Sequence, residues 1–284
     1  MKLSISFFRI ILIMFFLTLS LSMVAEAENT LIMGVHPFLS PAEVEKKFIP
    51  LANYLSSQTG ISIKVKVGSS YQEHIQYVGL DKVDIAYMGP AAYVIMQHQY
   101  GDKPILSKLQ VEGQSFFQGN IIVRKDSGIK TIGALKGKRI AFGDPNSTMS
   151  YLVPHYMLHE SGVFKDHLVA HDFLHSHDNV ALAVLMGDFD AGAVKPAVFK
   201  KFENRGLHTV AMTPKISEHL FVTRKNLPKS QVNALRNAML KMNQTAAGQD
   251  ALRSIKKRIS GLVKANSRDY DNLRKIIIDS KWKH

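Results

Sequence analysis

The feature that most constrains this chain is an order of elements that occurs twice. Leu31-Ile32-Met33-Gly34-Val35 is a short apolar run ending at His36-Pro37-Phe38. A helix is expected from about Ala42 to Ser57, where Val44, Phe48, Leu51 and Leu55 recur at helical spacing and Gly60 stands beyond as a stop. Ile61 to Val67 alternates and ends at Gly68-Ser69-Ser70-Tyr71, and a third strand, Val83 to Met88, ends at Gly89-Pro90 and opens a helix at Ala91. That is β-α-β-α-β, a doubly wound unit with parallel strands. The order returns downstream. Arg139 to Gly143 reads as a strand ending at Asp144-Pro145-Asn146-Ser147-Thr148, followed by a helix from about Ser150 to His159. A strand from Ala170 to Leu174 ends at His175-Ser176-His177-Asp178, a helix carries Val180 to Met186 with Gly187 as its stop, and Ala191 to Val194 is a third strand. The fold class is therefore α/β, with two doubly wound lobes.

The third unit of each lobe can be laid side by side, Asp84 to Tyr93 against Asp190 to Phe199, with Asp, Pro and the following Ala identical. Two further apolar runs lead into a basic pair, Ile121 to Asp126 and Leu220 to Asn226, and are read as the two crossing segments between lobes. From Leu227 on, helices are expected over Pro228 to Met242, Ala251 to Val263 and Tyr270 to Ile278, packing back on the first lobe. The organisation is then residues 28–119 plus 220–284 as lobe I, discontinuous in sequence, and 120–219 as lobe II.

Lys2 and Arg9 precede or open an apolar stretch that runs to Val24 and ends at Ala25-Glu26-Ala27, the pattern of a secretory signal peptide over 1–27 with cleavage after about Ala27. A single membrane anchor is the alternative, disfavoured because Thr18, Ser20 and Ser22 interrupt a run already short of the roughly 20 apolar residues a span needs. Export gives the net charge of +13 a different meaning, since DNA or RNA is not the expected working partner of an exported protein. Much of the excess lies beyond Leu227, where it reads as a solvated face away from the ligand. With no cysteine, disulfide scaffolds, thiolate metal sites and a lipid-modified N-terminal Cys are excluded.

Ligands of open parallel sheets sit at the carboxyl ends of the strands. Here those ends carry His36, Ser69, Ser70, Tyr71, Gly89, Pro90 and Tyr93 in one lobe and Asp144, Asn146, Ser147, Thr148, His177 and Lys195 in the other. Two lobes joined by two crossings describe a hinged clamshell. Three helix starts, at Asn146-Ser147-Thr148, Gly89-Pro90 and Ser176-His177, would offer open N–H groups and positive dipole ends to an oxyanion without any arginine. Ser147 and Thr148 read equally well as plain helix caps. His177 is a candidate donor, and Tyr71 and Tyr93 either donate or pack. Asp84 and Asp190, at the strand starts, read as turn residues.

The runs Phe142-Gly143-Asp144-Pro145-Asn146-Ser147-Thr148, Ser176-His177-Asp178-Asn179, Tyr87-Met88-Gly89-Pro90-Ala91-Ala92-Tyr93, Val123 to Ser127 and Leu135 to Arg139 together resemble the phosphate/phosphite/phosphonate substrate-binding proteins of ABC importers, in order along the whole mature chain. The resemblance implies the type II periplasmic-binding-protein fold and capture of a small phosphorus oxyanion for an inner-membrane ABC permease, with no enzymatic activity. It also implies no cofactor or metal, no nucleic acid partner and a monomer. By position, Ser147 and Thr148 would hold ligand oxygens, His177 would donate, Tyr71 would donate from the opposite lobe, and Tyr93 would match the family's turn. Family members commonly continue S-T-S-G, whereas Met149 and Ser150 stand here, so one donor is lost and Met149 narrows the pocket or meets an apolar substituent. Phe117 stands where the family often has Tyr. With Lys195-Pro196-Ala197 after the last strand and only Glu218 nearby, phosphite, phosphate or methylphosphonate is expected over an aminoalkyl phosphonate.

Three other readings carry less. A Ser147/His177/Asp178 hydrolase triad lacks a G-x-S-x-G elbow and uses adjacent residues for base and orienter. A metal site on His171, His175 and His177 has no second cluster at ligand spacing. A sensory role, the closed clamshell docking on a membrane receptor, is the serious alternative.

Overall fold

A computed structural model describes residues 30–282, so the expected signal peptide and its cleavage point lie outside the described residues. The first sheet contains β1 (Leu31–Val35), β2 (Ile63–Val67), β3 (Ile85–Met88), β4 (Ile105–Val111), β12 (Leu220–Thr223) and β13 (Ile259–Val263), in the order β13-β4-β12-β3-β1-β2. The second contains β6 (Asn120–Arg124), β7 (Arg139–Phe142), β8 (Ala170–Phe173), β9 (Ala191–Val194) and β10 (Leu207–Met212), in the order β10-β6-β9-β7-β8. Each sheet has the same heart: three parallel strands, β2-β1-β3 or β8-β7-β9, with an antiparallel strand, β12 or β6, laid against the third. The internal repeat expected from the sequence is thus a repeat of topology.

The shared aspartate of that repeat has a structural reason. Asp84 Oδ2 accepts from Ile32 N–H at 2.8 Å, and Asp190 Oδ2 accepts from Arg139 N–H at 2.8 Å, each tying the third strand to the first. Each carboxylate also holds a guanidinium, Arg224 Nε at 2.7 Å and Arg139 NH2 at 2.9 Å. These residues are clasps between strands, more than the turn residues their position suggested.

The segments expected as crossings, Ile121 to Asp126 and Leu220 to Asn226, are chiefly the sheet strands β6 and β12. The chain passes between sheets just before each of them, where β5 (Phe116–Phe117) pairs antiparallel with β11 (Ile216–Ser217). Apolar content marked both segments as strands correctly, but the passage itself is too short to show a pattern.

Helix α1 (Pro41–Thr59) buries Val44, Phe48, Leu51 and Leu55, the four residues at helical spacing, and ends at Gly60, whose φ of 70° suits a residue without Cβ. Helices α2 (Tyr71–Gly79) and α3 (Pro90–Tyr100) complete the first set of crossovers, and α4 (Val153–Glu160), α5 (His177–Met186) and α6 (Pro196–Phe202) belong to the second. Beyond β12, α7 (Lys229–Leu240) and α8 (Ala246–Ile255) pack against α1 in one core with Leu235, Met239 and Leu252. The helix expected over Ala251 to Val263 stops at Ile255, and β13 follows. Helix α9 (Asp271–Trp282) closes the described chain. Among the described residues, no helix is long and apolar enough to cross a membrane.

One departure bears on the site. The helix expected from Ser150 opens instead with a π turn, Thr148–Leu152. Pro154 explains it, because a proline has no N–H for the Ser150 carbonyl and its ring would clash there. The hydrogen bonds slip by one residue, Leu152 N–H to Ser147 O at 3.0 Å and Val153 N–H to Thr148 O, and the Ser150 carbonyl accepts from Gly143 N–H at 3.3 Å instead.

Candidate functional site

The strand ends of both sheets face one cavity of about 360 Å³. Its wall includes His36, Tyr71, Tyr87, Gly89 and His219 from the first sheet's side and Asn146, Ser147, Thr148, Met149, His177 and Lys195 from the second's. All three helix starts read from the sequence line it, joined by those of α2 at Tyr71 and α6 at Lys195-Pro196-Ala197. The first N–H groups of a helix have no intrahelical acceptor, so this wall concentrates donors and positive dipole ends where a small anion would rest.

The hydroxyls and the imidazole are oriented by what they already accept. Ser147 Oγ accepts from Ser150 N–H at 3.2 Å, the helix-cap bond, and keeps its own hydrogen to donate. Thr148 Oγ1 accepts from Ala91 N–H at 3.0 Å, in the first turn of α3 on the opposite side of the cavity. Thr148 thus joins the two sides, and its O–H is left as a donor. His177 Nδ1 accepts from Lys195 N–H at 3.1 Å, which puts the proton of the neutral ring on Nε2. Burial, with the charges of Lys195 and His219 adding to it, holds this imidazole well below its ordinary pKa. It is a neutral donor at pH 7. The nitrogen that a triad aspartate would hold is taken by a backbone N–H, and Asp178 pairs with Lys201 at 2.5 Å. Burial and the charge of Asp144 push the Tyr71 phenol up, so it too remains a protonated donor.

A cluster of rings backs the first side. His36 Nδ1 and His74 Nε2 both donate to the Tyr87 carbonyl, at 3.3 and 3.1 Å, and a carbonyl can only accept. The neutral ring can give this bond, and burial, which pushes His36 down and His74 to about 4, outweighs the pull of the carbonyl and keeps both rings neutral. The planes of His36, Tyr87 and His219 are within 15° of parallel, with Tyr71 4.9 Å from His36 and Phe117 5.3 Å from His219. His219 Nδ1 donates to Glu218 Oε2 at 3.1 Å, leaving Nε2 beside Gly89. Glu218 is only 1% exposed, and despite that burial its contacts with His219 and with Lys256 Nζ at 3.2 Å hold it down near pKa about 2.

Of the six ligand-site residues expected from the sequence, five meet at this cavity: Tyr71, Ser147, Thr148, Met149 and His177. Tyr93 does not. It is 1% exposed, and its ring packs edge-on against Tyr270 at 5.0 Å, because the fourth residue of α3 lies on the helix side and not at its mouth. Met149 is buried, with its sulfur accepting from the Thr213 hydroxyl at 3.4 Å, and it lies so close to Gly119 that a Cβ there would meet it at 3.0 Å. Ser150, where the family pattern has glycine, donates to the Ala193 carbonyl at 2.6 Å and fits because Gly143 opposite has no side chain. His171 and His177 line different cavities, so the histidines of that strand do not gather.

Sequence reasoning missed His36, Tyr87 and His219 as one cluster and misplaced part of the basic tail. Lys256, Lys257 and Arg258, read as a solvated face away from the ligand, lie on the cavity's rim, brought there by the pairing of β13 with β4. His36 was visible as a strand-end residue; the return of a loop more than two hundred residues later was not.

Comparison with known proteins assigns the chain to a family. Residues 33–270 match the family model described as ABC transporter, phosphonate, periplasmic substrate-binding protein. The chain is 27% identical over 273 residues to the phosphate-import protein PhnD of Mycolicibacterium smegmatis, covering 87% of this chain and 85% of that protein. It is 25% identical to the phosphonates-binding periplasmic protein of Escherichia coli, over 78% of this chain and 68% of the other. The fold superposes on PhnD1 of Prochlorococcus marinus, solved in complex with methylphosphonate, with a TM-score of 0.80 at 22% identity, covering 89% of this chain and 99% of that one. These matches give no support to the sensory alternative. Family and fold together identify the chain as a member of the phosphonate periplasmic substrate-binding proteins of ABC transporters, with the type II binding-protein architecture.

Proposed function

We propose that this chain captures a small phosphorus oxyanion, such as phosphite, phosphate or methylphosphonate, between lobes formed by 28–119 plus 220–284 and by 120–219. The observation that carries this reading is the Ala91 to Thr148 hydrogen bond across a cavity rimmed by helix N-termini. It sets a hydroxyl donor at the meeting point of the two sides. Ser147, Thr148, His177 and Tyr71 would each give a hydrogen to ligand oxygens, and the N–H groups of Thr148 and Met149 would complete the seat. The names of the relatives, a phosphate importer and a methylphosphonate complex, support the ligand class. Among the described residues no Asp or Glu lines the cavity, and Glu218 is engaged by His219 and Lys256, so an ammonium tail would meet no free carboxylate there.

In this reading the protein is exported, cut after about Ala27, works as a monomer without catalysis and delivers its ligand to an inner-membrane permease. Calorimetry on residues 28–284 tests it, with phosphite, phosphate, methylphosphonate, 2-aminoethylphosphonate and sulfate. Saturable binding of at least one of the first three is expected. No heat with any phosphorus ligand would overturn the reading, and preference for the amino compound would overturn the argument from carboxylates.

A further inference from the structure

Resting on that reading of the oxyanion seat, we infer that among phosphorus oxyanions the cavity holds most tightly one that carries a second anionic group, met by Lys195 and Lys47: a phosphonate with a carboxylate on its substituent, or a compound of equivalent charge. The cavity is larger than the simplest ligands require. At about 30 Å³ per water-sized group, the five heavy atoms of methylphosphonate fill roughly 150 Å³, less than half of the 360 Å³. Beyond the residues of the seat, the cavity is lined by Phe38, Lys47 and residues 256–258.

What lines that extension is cationic and only partly compensated. Lys256 is paired with Glu218 and Arg258 with Glu112. Lys195 and Lys47 form no ion pair among the described residues. Both are nevertheless held in the wall. The Lys195 ammonium stands 5.0 Å from the centre of the Phe38 ring, and Lys47 Nζ donates to the Ile255 carbonyl at 3.4 Å. Burial brings Lys195 down to about 8, with Asp178 opposing the shift and Lys256 and Lys47 adding to it, so these cations sit close enough to oppose one another. Gathering partly buried like charges is unfavourable unless an opposite charge completes them. Asp178 acts on Lys195 and Glu43 on Lys47, but Asp178 is paired with Lys201 and Glu43 is held by Ser40, so the charge is completed only in part, and an anionic substituent would complete it.

A basic rim that only attracts anions would also favour the more highly charged phosphonate, but that preference would survive the loss of Lys195 or Lys47. The discriminating experiment is calorimetry on residues 28–284 with phosphonoacetate, its neutral isostere phosphonoacetamide, and methylphosphonate. Phosphonoacetate is expected to bind about tenfold more tightly than the amide, with the ratio falling toward unity in Lys195→Met and in Lys47→Met. Equal or weaker binding of phosphonoacetate in the unsubstituted protein overturns the inference without any variant. A ratio that survives both substitutions overturns the assignment to these lysines. If methylphosphonate binds while phosphonoacetate is not preferred, only this inference fails; if none of the three binds, the reading of the seat has failed with it.

Discussion

Replacing Thr148 by Val keeps the shape of the side chain and removes its hydroxyl, which tests two contacts at once. In the structure Thr148 Oγ1 accepts from Ala91 N–H at 3.0 Å in a buried position and keeps one hydrogen for the ligand. A hydroxyl donating to a charged oxygen contributes about 1.5–3 kcal/mol. The orphaned Ala91 N–H adds a further cost, of order 1–3 kcal/mol, where closure excludes water from it. The two together set a lower bound of about 2.5 kcal/mol, or roughly a 70-fold loss of affinity. Thr148→Ser retains both the acceptor and the donor and should stay within about threefold of the unsubstituted protein, a change of well under 1 kcal/mol. Titration calorimetry with methylphosphonate reads both variants, and thermal melting without ligand reads stability separately. If Val binds as tightly as Thr while melting earlier, Thr148 is only a cap and the reasoning from hydroxyl orientation fails.

Other outcomes follow from the same geometry. His219 is held neutral chiefly by burial although Glu218 pulls it upward, so an anion near Nε2 should draw a proton onto it. Binding should then take up a proton and weaken as pH rises through neutrality, which calorimetry in buffers of different ionisation enthalpy would reveal; no buffer dependence would contradict it. His74, lowered to about 4, favours the fold fully above its unfolded value near 6.5, and that stability is lost as pH falls from there toward 4. The slope approaches about 1.4 kcal/mol per pH unit for one such group, and His74→Gln should flatten the pH dependence of melting. Glu218, lowered to about 2, adds a second loss between about pH 4.5 and 2. Gly119→Ala should destabilise by about 1–3 kcal/mol through contact with Met149, and adding Met149→Ser should recover part of that, measured as a double-mutant cycle in urea.

The parts of this account that were legible in the sequence are those fixed by local chemistry. The helical spacing of Val44, Phe48, Leu51 and Leu55 located α1, and Asp144-Pro145-Asn146-Ser147-Thr148 marked a strand-to-helix turn with open N–H groups. β13 was hidden because Ala251, Ile255, Ile259 and Leu262 keep helical spacing across its start and no Gly or Pro interrupts them before Gly261. Tyr93 looked like a site residue because its motif lies at a helix mouth, yet a residue one turn in packs sideways. The ring cluster of His36, Tyr87 and His219, and the arrival of Lys256 at the rim, depend on strand order in a sheet, which no local pattern encodes.

The most direct test of the central claim is a crystal structure of residues 28–284 grown with methylphosphonate. The account predicts phosphonate oxygens within hydrogen-bonding distance of the Thr148 and Tyr71 hydroxyls and of His177 Nε2, with the Ala91 to Thr148 bond retained. A ligand bound elsewhere, or one seated in the cleft without contact to Thr148, would contradict it.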